Sequence, residues 1–268
     1  MNGAATLPAR TATDGVMGTV ASVQVIGDID PALFRTAVEG CFADLHRADR
    51  VFSPFRADSD LRRLARGELS PADADPWMDE VAAGCGRAEE ETGGLFRAQR
   101  QGGFDPTGYV KGWAAENAAR TRLAPLLRES GVTAVGLNVG GDMQLFTAPG
   151  ADWTWNVGIV DPRDRARLLA TVSVRDGAVA TSGGAERGAH IVDPRTGVPA
   201  RGVLSATVVG DGLTRADVWA TAVVAAGPDG LGWLDRIGPG SGLLLDDGGR
   251  VRRWLDGVPV DVTGVTWA

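Results

Sequence analysis

Residues 134–147 read AVGLNVGGDMQLFT. Two apolar, strand-like runs, 134–139 and 143–147, are joined through Gly140-Gly141-Asp142. A pair of glycines lets the backbone reverse with positive φ, so this stretch reads as one hairpin. The pattern continues downstream at 155–160, 169–174, 178–180, 191–192 and 205–209, with Gly, Asp and Pro turns between the runs. Short strands punctuated in this way form a largely antiparallel sheet.

Outward from that block the periodicity changes. Residues 19–26, TVASVQVI, alternate and predict one more strand. Pro31 opens a predicted helix to about Arg50, with Leu33, Ala37, Cys41, Leu45 and Ala48 along one face. His46 lies beside that face and reads as a surface or helix-packing histidine. A short capped helix ending at Leu64 follows, then a helix over 77–91, and short strands at 95–97 and Phe104. A further helix runs from Tyr109 to about Arg122 and breaks at Pro125. Helices over 214–226 and 231–237 and two or three short strands complete the chain. Strand and helix do not alternate regularly, so the fold class is α+β, with helices packed on a mixed or largely antiparallel sheet. Without a repeat or a clear linker, residues 16–268 read as one domain with two lobes, and residues 1–15 as a flexible arm.

Composition narrows the partners. A net charge of −7 argues against a nucleic-acid binder, which would show a basic face. No apolar run approaches the length of a membrane helix, and the N-terminus lacks the pattern of a secretory signal, so a cytoplasmic protein without membrane insertion is expected. Cys41 and Cys85 stand at apolar positions and read as buried hydrophobes.

Five stretches could carry chemistry. Residues 102–115, GGFDPTGYVKGWAA, hold the only lysine, Lys111, and the only tyrosine, Tyr109, just after Asp105-Pro106-Thr107-Gly108. An oxygen-rich turn running into a helix start can hold anions or metal ions, or can be ordinary turn chemistry. Asn138–Asp142 is either a plain hairpin turn or a place where backbone approaches a ligand closely. Thr181-Ser182-Gly183-Gly184, followed by Arg187, offers amides and hydroxyls to phosphate oxygens but matches no standard nucleotide fingerprint. His190, ahead of the Asp193-Pro194-Arg195-Thr196-Gly197 turn, is a general-base candidate or a strand-end histidine. Asp217 and Thr221, four apart on a helix, present oxygen donors that suit Mg²⁺. Asp217 can equally serve a capping box with Thr214.

As an ordered set these stretches resemble the ApbE family, the FAD:protein FMN transferases. The likeness starts at Met17-Gly18-Thr19 and passes through Phe52-Ser53-Pro54-Phe55, Asp105-Pro106-Thr107 with Lys111-Gly112, and Asn138–Asp142. It continues through Val179–Arg187 and His190–Gly197 and closes at Asp217–Thr221, covering roughly residues 16–240. The resemblance implies a T-fold-like α+β architecture. It also implies Mg²⁺-dependent transfer of FMN from FAD onto a threonine or serine hydroxyl of an acceptor flavoprotein, with release of AMP. The metal would fall to Gly108, Asp217 and Thr221, and FAD to Met17, Phe55, Asp105, Lys111 and Ile191. Ala220 stands where many relatives carry a second acid, and Phe55 where tyrosine is frequent. Amides of Gly183 and Gly184 could hold phosphate oxygens, with His190 as base for the acceptor hydroxyl and Asp193 as its substitute. Two other outcomes stay open at this point: an FAD pyrophosphatase giving FMN and AMP, and a non-catalytic FAD-binding protein.

Overall fold

A computed structural model describes residues 7–100, 103–184, 191–228, 232–238 and 240–260. Strands β1 (Ala9–Val16) and β2 (Thr19–Gly27) form an antiparallel hairpin. Residues 9–15, assigned by sequence to a flexible arm, are therefore an edge strand. Its eight residues pair in register with β2, and Asp14 meets His46 Nε2 at 2.7 Å. That contact also gives His46 its place, as a tie between the first helix and the edge strand.

Helix α1 (Pro31–Phe52) starts where Asp30 Oδ1 accepts from the amides of Ala32 and Leu33. Its buried face carries Ala37, Val38, Cys41, Leu45, Ala48, Val51 and Phe52, the helical spacing read from sequence. The short α2 (Asp60–Ala65) is capped by Ser59, and α3 (Trp77–Glu91) follows. A small ribbon, β3 (Gln99–Arg100) with β4 (Gly103–Phe104), leads into α4 (Thr107–Ala118). The strand expected at 95–97 is instead the two-residue strand Gln99–Arg100, four residues later at its start. Helix α4 ends in a π turn (Ala119–Leu123) and a 3-10 segment (Ala124–Arg128), where Pro125 cannot continue the hydrogen-bond ladder.

The sheet-rich half follows. Strands β5 (Val132–Val139) and β6 (Asp142–Thr147) are the hairpin predicted from AVGLNVGGDMQLFT, with Val139 opposite Asp142 across the two glycines. Strands β7 (Trp155–Asp161) and β8 (Asp164–Val174) pair only with each other, as a separate ribbon. Strands β9 (Gly177–Gly183) and β10 (Val203–Gly210) return to the main sheet. The predicted strand at 191–192 is reduced to one bridge, Val192 to Pro199. Helices α5 (Leu213–Ala226) and α6 (Leu234–Ile237) precede β11 (Ser241–Asp246), β12 (Val251–Leu255) and β13 (Val258–Val260).

The nine-stranded sheet runs β1-β2-β5-β6-β9-β10-β11-β12-β13, and every described pairing is antiparallel. Alternation along β5 explains the layering. Val135, Leu137 and Val139 enter the main core with α1, α4 and α5, whereas Ala134 joins Leu145, Trp155 and Val157 under the β7–β8 ribbon. Central strands are thus covered on both faces. Helix α5 is apolar nearly all round because it lies between the sheet and α4, with eleven of its residues buried.

Candidate active site

The site forms where α4 crosses α5 over the ends of the central strands. Gly112 permits the crossing. A Cβ there would stand 2.8 Å from Asp217 Cβ and 2.9 Å from the Leu213 carbonyl oxygen. The bare backbone instead donates its N–H to Asp217 Oδ2 at 3.1 Å. Helix α4 itself starts on an Asx turn, in which Asp105 Oδ1 accepts from Thr107 N at 3.1 Å and Thr107 Oγ1 at 2.6 Å.

One residue before Gly112, Lys111 reaches two buried acids. Its Nζ pairs with Asp142 Oδ2 and stands 3.5 Å from Asp217 Oδ1. The side chains of Asp142 and Asp217 are both only 2% exposed. Carboxylates so deeply buried require a partner cation or full hydrogen bonding. Asp142 has both, since its Oδ1 also accepts from Thr181 N at 2.9 Å.

The capping alternative for Asp217 is settled by what occupies the start of α5. Glu116 Oε2 accepts from Thr214 N at 2.8 Å, and Gln144 Oε1 from Leu213 N at 2.9 Å. Side chains from α4 and β6 thus cap the helix and leave Asp217 to the cavity. One turn on, Thr221 Oγ1 lies 3.1 Å from Ser182 Oγ of β9.

Lys111, Asp217, Thr221, Thr181 and Ser182 line one cavity of about 610 Å³ together with Gly18, Gly140, Gly141 and Arg165. Of the residues singled out in the sequence, Asp105, Gly108, Lys111, Gly183, Ile191, Asp217 and Thr221 line it. A second, more apolar cavity of about 410 Å³ shares Ile191 and Thr221 and is bounded by Leu95, Phe96, Val192 and Pro194. The Gly140-Gly141 turn is both of the things its sequence allowed. Its φ values of 63° and 98° make a hairpin reversal pinned by Asn138 Oδ1 on Gly141 N, and its backbone forms cavity wall.

Other candidates stand elsewhere. Met17 holds a positive φ of 55° in the β1–β2 turn, next to the cavity-lining Gly18. Phe55 is 94% exposed in the turn between α1 and α2. Gly184 is exposed at the end of β9, outside the cavity lining. Asp193 is folded into its own turn, accepting from the Arg195 backbone N–H and guanidinium at 2.9 Å. The Arg195 side chain holds that carboxyl below the usual range, which makes it a poor proton acceptor near neutral pH. His190 and Arg187 lie outside the described residues. Asp142 is the residue that sequence reasoning undervalued. Its signal was an acid at the first position of an apolar strand, where the alternation turns it inward.

The donor set fits a hard cation. Asp217 and Thr221 share a helix face, and Gly108 stands against Thr221, with its Cβ direction 4.0 Å from Thr221 Cγ2. All are oxygen donors, as Mg²⁺ prefers. Among the described residues no cluster of three or more His, Cys, Asp or Glu could hold a metal ion.

An antiparallel sheet under two crossing helices, with a lysine and acids at their contact, defines a class that comparisons with known proteins specify. The family model of the ApbE family matches residues 97–241, more than half of the chain, and the chain belongs to that family. A FAD:protein FMN transferase of Rhodobacter capsulatus is 36% identical over 135 residues, which are 47% of this chain and 24% of that protein. The Escherichia coli K12 protein of the same name is 26% identical over 156 residues, 54% of this chain and 43% of that one. The matched part spans less than half the length of these curated relatives. Among solved structures, the ApbE protein of Thermotoga maritima superimposes with a TM-score of 0.78 at 23% identity, covering 92% of this chain and 97% of that one. Flavinyl transferase ApbE of Pseudomonas stutzeri gives 0.73 at 19% identity, covering 95% and 98%. These likenesses bear out the α+β expectation. No described helix is long and apolar enough to cross a membrane.

Proposed function

We propose that this chain transfers FMN from FAD to a threonine or serine hydroxyl of an acceptor flavoprotein, forming a phosphoester and releasing AMP. The observation that carries the reading is convergence. Seven residues separated by up to 116 positions in sequence, from Asp105 to Thr221, meet on one cavity of about 610 Å³. That volume is typical of a small-molecule site. The adjoining apolar cavity beside Ile191 and Phe96 suits a flat aromatic ring.

In this reading the chain positions and neutralises more than it reacts. Lys111 places a positive charge beside the pyrophosphate and bridges the carboxylates of Asp142 and Asp217. Asp217, Thr221 and the Gly108 carbonyl would hold Mg²⁺, which when bound offsets charge on the pyrophosphate oxygens. The backbone at Gly183 offers its amide to non-bridging oxygens, whereas Gly184, outside the lining, is left without that role. Asp105, Met17 and the exposed ring of Phe55 contact FAD. His190 takes the proton of the acceptor hydroxyl, since Asp193 is already committed to Arg195.

The test is incubation with FAD and Mg²⁺, with and without an acceptor peptide, reading AMP and peptide-bound flavin. AMP and labelled peptide only with acceptor support transfer. AMP without acceptor indicates hydrolysis, and neither product indicates a binding protein that lacks competent metal chemistry.

A further inference from the structure

A cavity of about 440 Å³ lies between the sheet and the β7–β8 ribbon. Met143, Val179 and Leu204 line it from the sheet, and Val157, Ile159 and Val160 from the ribbon. Five of its lining residues, Gly140, Gly141, Arg165, Thr181 and Gly183, also line the 610 Å³ cavity, so the two spaces meet at the β5–β6 turn and the end of β9. Little more than glycine backbone separates them there.

One wall residue stands out. Ser205 is 5% exposed, and its Oγ has no hydrogen-bond partner among the described residues. A buried hydroxyl left unpaired is unfavourable, whereas alanine would fill the same space without that cost. A ligand group bonding to Ser205 accounts for the hydroxyl.

The chemistry of the lining selects the ligand. Of the FAD and metal candidates, Lys111, Asp217, Thr221 and Ile191 do not line this 440 Å³ cavity, whereas Gly183 lines both spaces. In their place are mainly apolar side chains and glycine backbone, with Asp142, Arg165, Thr181 and Ser205 as the polar groups. A mostly apolar wall with a few polar groups suits an extended polypeptide rather than a dinucleotide. A nucleophile must also reach phosphorus from the side away from the leaving group. A space that opens into the first cavity from the ribbon side provides such an approach.

We propose that this cavity seats the acceptor segment, the stretch of partner polypeptide that carries the target hydroxyl. The inference rests on the FMN-transfer reading. The segment lies along the β7–β8 ribbon, with apolar side chains against Val160 and Leu204 and a polar group on Ser205 Oγ. Its threonine or serine projects past Thr181 and Gly183. The hydroxyl oxygen bonds to the FMN phosphorus as the pyrophosphate P–O bond breaks. AMP leaves with the bridging oxygen, and the hydroxyl proton passes to the base.

The experiment uses the full chain, FAD, Mg²⁺ and a pool of short synthetic peptides with a fixed central threonine and randomised flanks. Labelled peptides are sequenced by mass spectrometry, and FAD affinity is measured separately by flavin fluorescence without peptide. Val160→Trp and Leu204→Trp fill the cavity, and Ser205→Ala removes the hydroxyl. Val160 is 46% exposed, so a tryptophan there does not enter the core. We expect wild type to select apolar residues beside the threonine. The filled variants should label about ten-fold more slowly at low peptide while FAD affinity stays within about two-fold. Equal labelling by wild type and both filled variants overturns the assignment, as does a parallel loss of FAD affinity. A wild-type chain that releases AMP from FAD but labels no peptide overturns the transfer reading, and this proposal with it.

Discussion

The backbone N–H of Gly112 donates to Asp217 Oδ2, joining α4 to α5 at the point where the proposed metal site is built. Any side chain at position 112 would meet Asp217 Cβ and the Leu213 carbonyl, neither of which is a flexible tip. Gly112→Ala is expected to cost about 1–3 kcal/mol, the usual range for overpacking, and to weaken Mg²⁺ binding as the helices separate. Urea denaturation and metal titration measure the two effects. A variant with unchanged midpoint and unchanged metal affinity would show that the close approach is dispensable.

Lys111 is the cation between two buried acids. Lys111→Met leaves Asp142 and Asp217 facing each other uncompensated and should destabilise the chain by about 3–5 kcal/mol. Adding Asp142→Asn to that variant removes one of the stranded charges, so the double variant should be more stable than Lys111→Met alone. Chemical denaturation of the three proteins tests this coupling. Additive losses would mean that the ion pair is incidental.

Thr221 and Ser182 exchange a hydrogen bond at 3.1 Å, yet only Thr221 shares a helix face with Asp217. Thr221→Val keeps the shape and removes the oxygen. It should weaken binding of Mn²⁺, used as a paramagnetic stand-in for Mg²⁺, whereas Ser182→Ala should do so far less. Comparable Mn²⁺ affinity in Thr221→Val and wild type would remove Thr221 from the ligand set.

Asp193 and His190 can be separated by rate against stability. With its carboxylate already held by Arg195, Asp193→Asn should loosen the 193–197 turn and lower the thermal midpoint while transfer persists. His190→Ala should slow transfer by about 100-fold or more at saturating substrates, the usual contribution of a general base. Unchanged transfer by His190→Ala would remove it from that role.

Cys41 and Cys85 lie in the core, and burial pushes both thiols up to about 12. Neither should react with a thiol reagent at pH 8 until the chain unfolds, because thiolate is the reactive form. The raised values mean that the folded state holds these protons more tightly than the unfolded chain. Their stabilising contribution is complete below pH 9 and is lost as pH rises toward 12. Rapid native-state titration of either thiol would contradict the packing described.

The residues that built secondary structure were readable because their patterns are local. Alternation gave β2, the glycine pair gave the β5–β6 hairpin, and helical spacing gave the buried face of α1. What escaped depended on distant partners. The first strand looked like an arm because its order comes from β2 and His46, not from its own apolar content. Asp142 looked like turn chemistry because its role appears only when Lys111 and Thr181 arrive from other elements. Asp217 was ambiguous between cap and site until Glu116 and Gln144 were seen to cap α5.

The β7–β8 ribbon leaves the main sheet after β6 and returns at β9, and those two strands are themselves neighbours, with Leu145 opposite Gly177. Its base is fastened by Thr147, which donates to Asp176 Oδ1 and to the Arg175 carbonyl. The ribbon is thus a closed excursion from the sheet, and its inward side chains Trp155, Val157 and Val174 pack against the sheet while its outer residues are exposed. With the acceptor seated as proposed, partner choice is carried largely by this excursion, and a different ribbon grafted between Ala148 and Asp176 should change which acceptor is labelled.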